Sequence, residues 1–385
     1  MKALIATDFR LYEIDGKLFL NDTTYTTVER YKNIFGKVIL CTRVIRNAQV
    51  SSKLKDATLL IDSYIAIDNF IHVLLGKYDS LIRKYITSAD IIIARVPSII
   101  AYRVSRIAHQ CEKPVLALAM GCAWDVYWNH SLAGKIIAPY MYWEMRRTLK
   151  NSDYALYVTS EFLQKRYPCC CKINMGISDV RINKIDKDII DRRILKIQER
   201  YTDSDILLMT TGDVSSKIKG QKFAIEAIKM LKDDGIIVNY VLVGEGDKKY
   251  LTNIADKLGV KNQLIFTGRL NYGEVIEMLD KADIYIQPSL SEGLPRAVVE
   301  AMSRGCPVIA SSVGGNPELI DSRYLVSAKS AKDIYIKLKD ILHTNQMINQ
   351  AYSNFERAKQ FENEFLSKKR NNFFDLIKED MNKKG

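Results

Sequence analysis

Glu292 and Glu300 lie eight residues apart in Gln287-Pro-Ser-Leu-Ser-Glu-Gly-Leu-Pro-Arg-Ala-Val-Val-Glu300. Lys217 and Lys219 precede a glycine in Thr210-Thr-Gly-Asp-Val-Ser-Ser-Lys-Ile-Lys-Gly220. A carboxylate can accept two hydrogen bonds from one adjacent diol, and such bonds are strong because the acceptor is charged. The amides of Gly293, Leu294 and Arg296 can face a carboxylate or a phosphate, whereas Pro295 has no N–H to give. Ammonium groups beside a helix amino terminus favour phosphate. Taken singly, the same side chains also read as a salt-bridged helix carboxylate at 300, a surface carboxylate at 292 and two solvated lysines.

The surrounding pattern says what must position them. An apolar run, Asp283 to Ile286, precedes the two carboxylates, a helical pattern spans Ala297 to Arg304 up to Gly305, and a second apolar run covers Pro307 to Ala310. That is a strand, loop, helix and strand, the repeating unit of a parallel sheet. Gly212 ends another expected strand, 205–211, and a helix is expected over Gln221 to Lys232. Gly244-Glu245-Gly246 interrupts a strand over 237–243. None of these glycine groups is a Walker loop or a dinucleotide fingerprint. Asn316, before Pro317, is expected to cap a helix.

Upstream, Lys2 to Ala6 reads as a strand and 7–17 as a polar loop. Strands are expected at 37–44, 90–95, 114–119 and 153–159, with helices between several of them. Gly121-Cys-Ala-Trp-Asp-Val-Tyr-Trp-Asn-His130 reads as an aromatic loop and 138–150 as a helix with aromatics at its start and basic residues at its end. Those aromatics could stack on a sugar or pack between layers. Residues 181–204, charged and rich in Ile, read as a linker with some helix. The expected division is 1–180, the linker, 205–355, and a carboxy-terminal helix over 356–385 returning to the first domain. The fold class is α/β, two Rossmann-like doubly wound domains facing one another across a cleft.

Composition narrows the function classes. A chain of 385 residues exceeds what one core usually organises. No leader is expected at the amino terminus, and no apolar run reaches the roughly 18 residues of a membrane span. Seven cysteines, three consecutive at 169–171, form no disulfide framework and fit a reducing cytoplasm. Histidines 72, 109, 130 and 343 have no metal-ligand spacing, so no metal is expected. The net charge is +12, and residues 1–180 hold 24 Lys and Arg against 16 Asp and Glu. An anionic partner is therefore expected for the first half: a phosphorylated substrate or a membrane surface. A nucleic acid is not expected, because no recognition motif accompanies the charge.

Ser291-Glu-Gly-Leu-Pro-Arg-Ala-Val-Val-Glu-Ala-Met-Ser-Arg-Gly-Cys-Pro-Val-Ile-Ala310, followed by Gly314-Gly-Asn-Pro-Glu318, resembles the signature of the retaining glycosyltransferases of family 4, which have the GT-B fold. Val243-Gly-Glu-Gly-Asp247, Phe266-Thr-Gly268 and Ile173-Asn-Met-Gly-Ile177, the last read as a turn, also match in order. The resemblance implies transfer of a hexosyl group from a nucleotide sugar to a hydroxyl with retained anomeric configuration. No resident cofactor or metal is implied. Glu300 would hold the ribose. Glu292, with the amides of 293–296, would hold the hexose, and Lys219 the diphosphate. Gly212, Lys217 and Glu245 complete the implied donor site, and Asp125 would help orient the reacting sugar. Where the family usually has an arginine after the strand glycine, this chain has Asp213; Lys217 is expected to compensate. The implied acceptor is a glycan or lipid-linked glycan of a surface polysaccharide, with peripheral contact to an anionic membrane from the cytoplasm. The alternatives are a nucleotide-sugar epimerase or sugar phosphorylase of similar fold, and a non-catalytic basic protein binding an acidic polymer.

Overall fold

The computed structural model describes residues 1–46, 54–199 and 206–384. It forms two compact units. The first comprises 1–124, 136–177 and 371–385, and the second 125–135 and 178–370.

The first unit is built on a nine-stranded sheet. Its strands are β1 (Lys2–Ile14), β2 (Lys17–Asn21), β3 (Lys37–Ile45), β4 (Leu54–Asp56), β5 (Ser63–Ile67), β6 (Ile91–Val96), β7 (Val115–Ala119), β8 (Tyr154–Tyr157) and β9 (Ile173–Gly176). Five of them run parallel in the order β1-β6-β7-β8-β9, and β3 and β5 extend the parallel sheet beyond β1. Ile91 to Ala94 and Val115 to Ala117 are fully buried, as expected of strands covered on both faces.

Three local expectations are corrected. The polar stretch 7–17 is not a loop: β1 continues to Ile14 and turns back through Asp15-Gly16 into β2. Both turn residues have positive φ, which suits an Asp-Gly hairpin, and Leu11 and Leu20 bury the ribbon's inner face. The aromatic stretch after β7 is a helix, Ala123–His130, rather than a loop. The Ile173–Gly176 segment, expected as a turn, is the strand β9, parallel to β8.

The second unit is a six-stranded parallel sheet ordered β12-β11-β10-β13-β14-β15. Its strands are β10 (Ile206–Thr211), β11 (Val238–Val243), β12 (Leu264–Gly268), β13 (Ile284–Gln287), β14 (Val308–Ser311) and β15 (Leu325–Val326). The chain proceeds from β10 to β11 and β12 on one side, then returns to the other side of β10 as β13. The strand order therefore reverses between β10 and β13, where open α/β sheets place their ligands.

The stretch expected as a linker is integral to this unit as far as 199, while 200–204 lies outside the described residues. Its helix, Lys187–Gln198, buries Ile189, Ile190 and Ile197 in the core. Arg193, also buried, donates from Nη1 to Ala282 O (2.6 Å), from Nη2 to Leu279 O (2.7 Å) and from Nε to Arg304 O (3.0 Å). A guanidinium with all its nitrogens engaged can be buried where a lone charge could not. At the other end of the chain, Phe374 of the helix Asn363–Lys384 packs edge-on against Tyr31 and Phe35 in the first unit.

Candidate active site in the second unit

Two loops leave the carboxyl ends of β10 and β13, and they are laced together. Leu290 N donates to Ile218 O at 2.8 Å. Gly220 has φ +67°, and a Cβ there would lie 1.9 Å from Pro288 O, so only glycine lets the backbones approach so closely. A third loop closes the arrangement from β14. Gly315 N donates to Gly293 O at 2.7 Å, and a Cβ on Gly314 would meet Glu292 O at 2.1 Å. The Gly314-Gly315 pair thus supports the loop that carries Glu292. Asn316 does not cap the following helix, which starts at Asn316 itself with Gly315 in the cap position. Its Nδ2 instead donates to Ser311 O at 2.8 Å, tying the loop back to β14.

Within this frame Lys219 Nζ donates to Glu292 Oε1 at 2.8 Å. The Glu292 side chain is 10% exposed and that of Lys219 29%. Gln287 Nε2 donates to the same Oε1 at 2.8 Å. Gln287 is held in turn by Tyr285, whose hydroxyl donates to Gln287 Oε1 (2.7 Å) and accepts from Thr211 N (3.2 Å). A buried hydrogen-bonded line thus runs from the end of β10, through β13, to Glu292. Sequence reasoning missed Gln287 and Tyr285. The available signal was a glutamine at the end of an apolar strand, immediately before Pro288.

Glu300 lies in the helix Arg296–Ser303 and is 6% exposed. Arg296 Nε donates to its Oε1 at 2.7 Å, an i,i+4 pair. Burial pushes the Glu300 carboxyl above its usual range, and Arg296 only partly offsets this. Among the described residues, the side-chain donors to Glu292 and Glu300 fall on Oε1. The first-turn amides of the helix, Arg296 N included, have no intrahelical acceptor. Gly293 and Leu294 stand on the loop just before it.

The remaining candidates have distinct placements. Gly212 ends β10, its N–H donating to Val243 O at 2.8 Å, and the Lys219 side chain passes over it. Asp213 turns its carboxylate into its own loop: Oδ1 accepts from Ser215 N (2.8 Å) and Ser215 Oγ (2.6 Å). Lys217 is exposed, with Nζ 5.1 Å from the centre of the Tyr250 ring. Glu245 Oε1 accepts from Arg269 Nη1 at 3.3 Å and is exposed. Asp125 is half-buried on the helix Ala123–His130, and its carbonyl accepts from Asn129 Nδ2 at 2.9 Å. Asn129 Nδ2 also donates to Leu290 O at 3.3 Å, which brings the Asp125 helix to the loop carrying Glu292. His130 is exposed at the end of that helix.

A charged pair, a second buried carboxylate and a helix start thus converge where the strand order reverses. This arrangement can hold hydroxyl pairs on two carboxylates and an anion between them. Residues 191–359 match the family described as glycosyl transferases group 1. Protein CapJ of Staphylococcus aureus is 29% identical over 359 residues, covering 91% of this chain and 86% of that protein. Sucrose-phosphate synthase from Thermosynechococcus elongatus superposes with a TM-score of 0.67 at 16% identity, covering 98% of each chain. HepE of Anabaena, solved in complex with UDP-glucose, gives 0.65 at 17% identity over 98% of this chain and 100% of that one. The whole chain thus has the GT-B fold of these solved structures, its residues 191–359 match the glycosyl transferases group 1 family, and it is similar along most of its length to a bacterial Cap protein.

Proposed function

We propose that the protein transfers a hexosyl group from a nucleoside diphosphate sugar to a hydroxyl of a glycan or lipid-linked glycan, with retention of anomeric configuration, in surface polysaccharide synthesis. The observation that carries this reading is the Lys219–Glu292 pair at the crossing of the β10 and β13 loops, with Glu300 buried in the adjacent helix. Glu300 Oε2 accepts from the ribose hydroxyls. Lys219 and the amides of Gly293, Leu294 and Arg296 meet the diphosphate and the sugar, and Glu292 takes hexose hydroxyls. Lys219 pairs with Glu292; when donor binds, its ammonium stands between that carboxylate and the leaving phosphates. Charge developing on the departing diphosphate is then stabilised by groups already in position. Asp125 orients the reacting sugar from the helix that Asn129 joins to Leu290. Likeness to a protein solved with UDP-glucose supports a uridine donor, and likeness to CapJ supports a capsular or surface-polysaccharide setting.

The enzyme works in the cytoplasm, at the membrane face where a lipid-linked acceptor is presented. The test is a panel of nucleotide sugars assayed for donor hydrolysis and for transfer to glycan acceptors, with the product's anomeric configuration read by proton NMR. One uridine diphosphate hexose should be consumed well above the rest, giving a product of unchanged configuration. An inverted product, or release of an epimerised sugar without transfer, would overturn the reading.

A further inference from the structure

In the first unit the helix Ile99–Gln110 buries Ile100, Val104, Ile107 and Ala108, and the helix Leu132–Asn151 buries Ala138, Met141, Met145 and Leu149. Between the two helices the facing side chains are of another kind. One helix brings Tyr102, Ser105, Arg106 and His109, and the other Glu144, Arg147, Thr148 and Asn151. Both sets follow the i, i+3, i+4, i+7 spacing of a single helix face. Apolar side chains normally interlock along such a seam. Here polar ones border a cavity of about 440 Å³, within the roughly 300–1,000 Å³ that small-molecule sites occupy. The Tyr102 hydroxyl donates to Met141 O at 3.3 Å and links the helices beside it.

The charges in this seam do not cancel. Glu144 is buried, and its Oε1 accepts from Arg106 Nη2 at 2.5 Å, so that carboxylate is already neutralised. Arg147, exposed on the same helix as Glu144, adds a second guanidinium with no further carboxylate in the lining. Arg106 Nε and His109 Nε2 are buried and have no hydrogen-bond partner among the described residues. Buried nitrogens are normally given an acceptor. The Arg106 side chain is one-third exposed, at 33%, so a modest rotation presents its Nε to a ligand. Three donor groups on one cavity suit the three terminal oxygens of a phosphate ester better than the two of a carboxylate. Ser105 and Thr148, both buried, and Asn151 offer further partners to a hydroxyl-bearing remainder.

We propose that this cavity binds a small soluble phosphate monoester of a polyol or sugar, with Arg106, His109 and Arg147 on the phosphate and Ser105, Thr148 and Asn151 on the hydroxyls. The ester bridges the two helices and so stabilises the first unit when bound. Its residues belong to the first unit and the proposed donor residues to the second, so the two sites stand or fall separately.

The test is calorimetry and thermal unfolding of the full chain with glucose 6-phosphate, inorganic phosphate and glucose. The ester should bind, inorganic phosphate should bind more weakly and glucose not at all, and the saturating ester should raise the unfolding midpoint by a few degrees. Arg147→Gln and His109→Gln should each lower affinity for the ester at least fivefold and leave affinity for uridine diphosphate unchanged. Lys150→Gln, which removes an exposed charge from the same helix outside the cavity, should leave ester binding intact. Ester binding lost in Lys219→Ala but kept in the two cavity variants would place the ester in the second unit and overturn the proposal. No binding of any phosphate, equal losses in Lys150→Gln, or a response only to phosphate carried on vesicles would overturn it too. Ester binding that follows this pattern in a protein that takes up no uridine diphosphate would overturn the proposed function and leave this site standing.

Discussion

Glu300 is the residue at which stability and the proposed donor binding oppose each other. Its carboxyl is pushed up by burial, so the folded protein holds that proton at a pH where the unfolded chain has released it. Stability contributed there is present below the ordinary carboxylate value and is lost as pH rises through the raised one. At neutral pH the folded state therefore carries a buried charge, relieved in part by Arg296. Glu300→Gln should raise the midpoint of thermal unfolding at neutral pH by a few degrees. It should also weaken donor binding by roughly ten- to a hundredfold, because a charged acceptor to two hydroxyls becomes a neutral one. In the wild type, donor affinity should fall on acidification with a midpoint above the usual carboxylate range, and calorimetry across pH would show whether this step vanishes in the variant. Lys219→Ala should reduce turnover by about 10²-fold or more, the scale of losing one preorganised charge contact in the transition state. A parallel loss of folding stability as large as the loss of turnover would mark Lys219 as structural.

At the scale of elements, the site depends on three loops whose backbones almost touch. Gly220→Ala would drive a methyl into Pro288 O and force the β10 and β13 loops apart. The cost should be several kcal/mol in local strain and displaced contacts. Donor affinity should fall in that variant although no ligand-facing side chain has changed. Arg193→Ala has the opposite signature: Leu279 O and Arg304 O lose their side-chain donor and Ala282 O keeps only Lys196, so the unfolding midpoint should drop sharply. A folded fraction recovered at low temperature should still bind donor. The contrast shows which part of the site was legible in the amino-acid order. Glu292 and Glu300 stood out because they bracket a loop and a helix start between two apolar runs. The Gln287–Tyr285 line did not, because a polar residue at the end of a strand does not declare which neighbour it faces. The helix at 123–130 was missed because its aromatics follow no clear amphipathic period. Asp213 looked like an unfavourable charge beside a phosphate; the backbone shows that Ser215 holds it within its own turn.

At the scale of the whole molecule, the first unit is built on a largely parallel sheet with an antiparallel edge and the second on a fully parallel one. The second unit reverses strand order between β10 and β13, within the span 191–359 that matches the glycosyl transferases group 1 family. Both α/β units were legible from the alternation of apolar runs and helical patterns. The hairpin at Asp15-Gly16 and the packing of the Lys187–Gln198 helix were not, because they depend on contacts far apart in sequence. The central claim is a division of labour in the second unit, with Glu300 on the ribose and Lys219 on the diphosphate. Calorimetric titration of three ligands into the wild type, Glu300→Gln and Lys219→Ala tests it most directly. Uridine, uridine diphosphate and a uridine diphosphate hexose should all bind more weakly to Glu300→Gln by a similar factor. Lys219→Ala should weaken only the two diphosphates and leave uridine unchanged. Equal losses for all three ligands in both variants, or no loss of uridine binding in Glu300→Gln, would contradict the account.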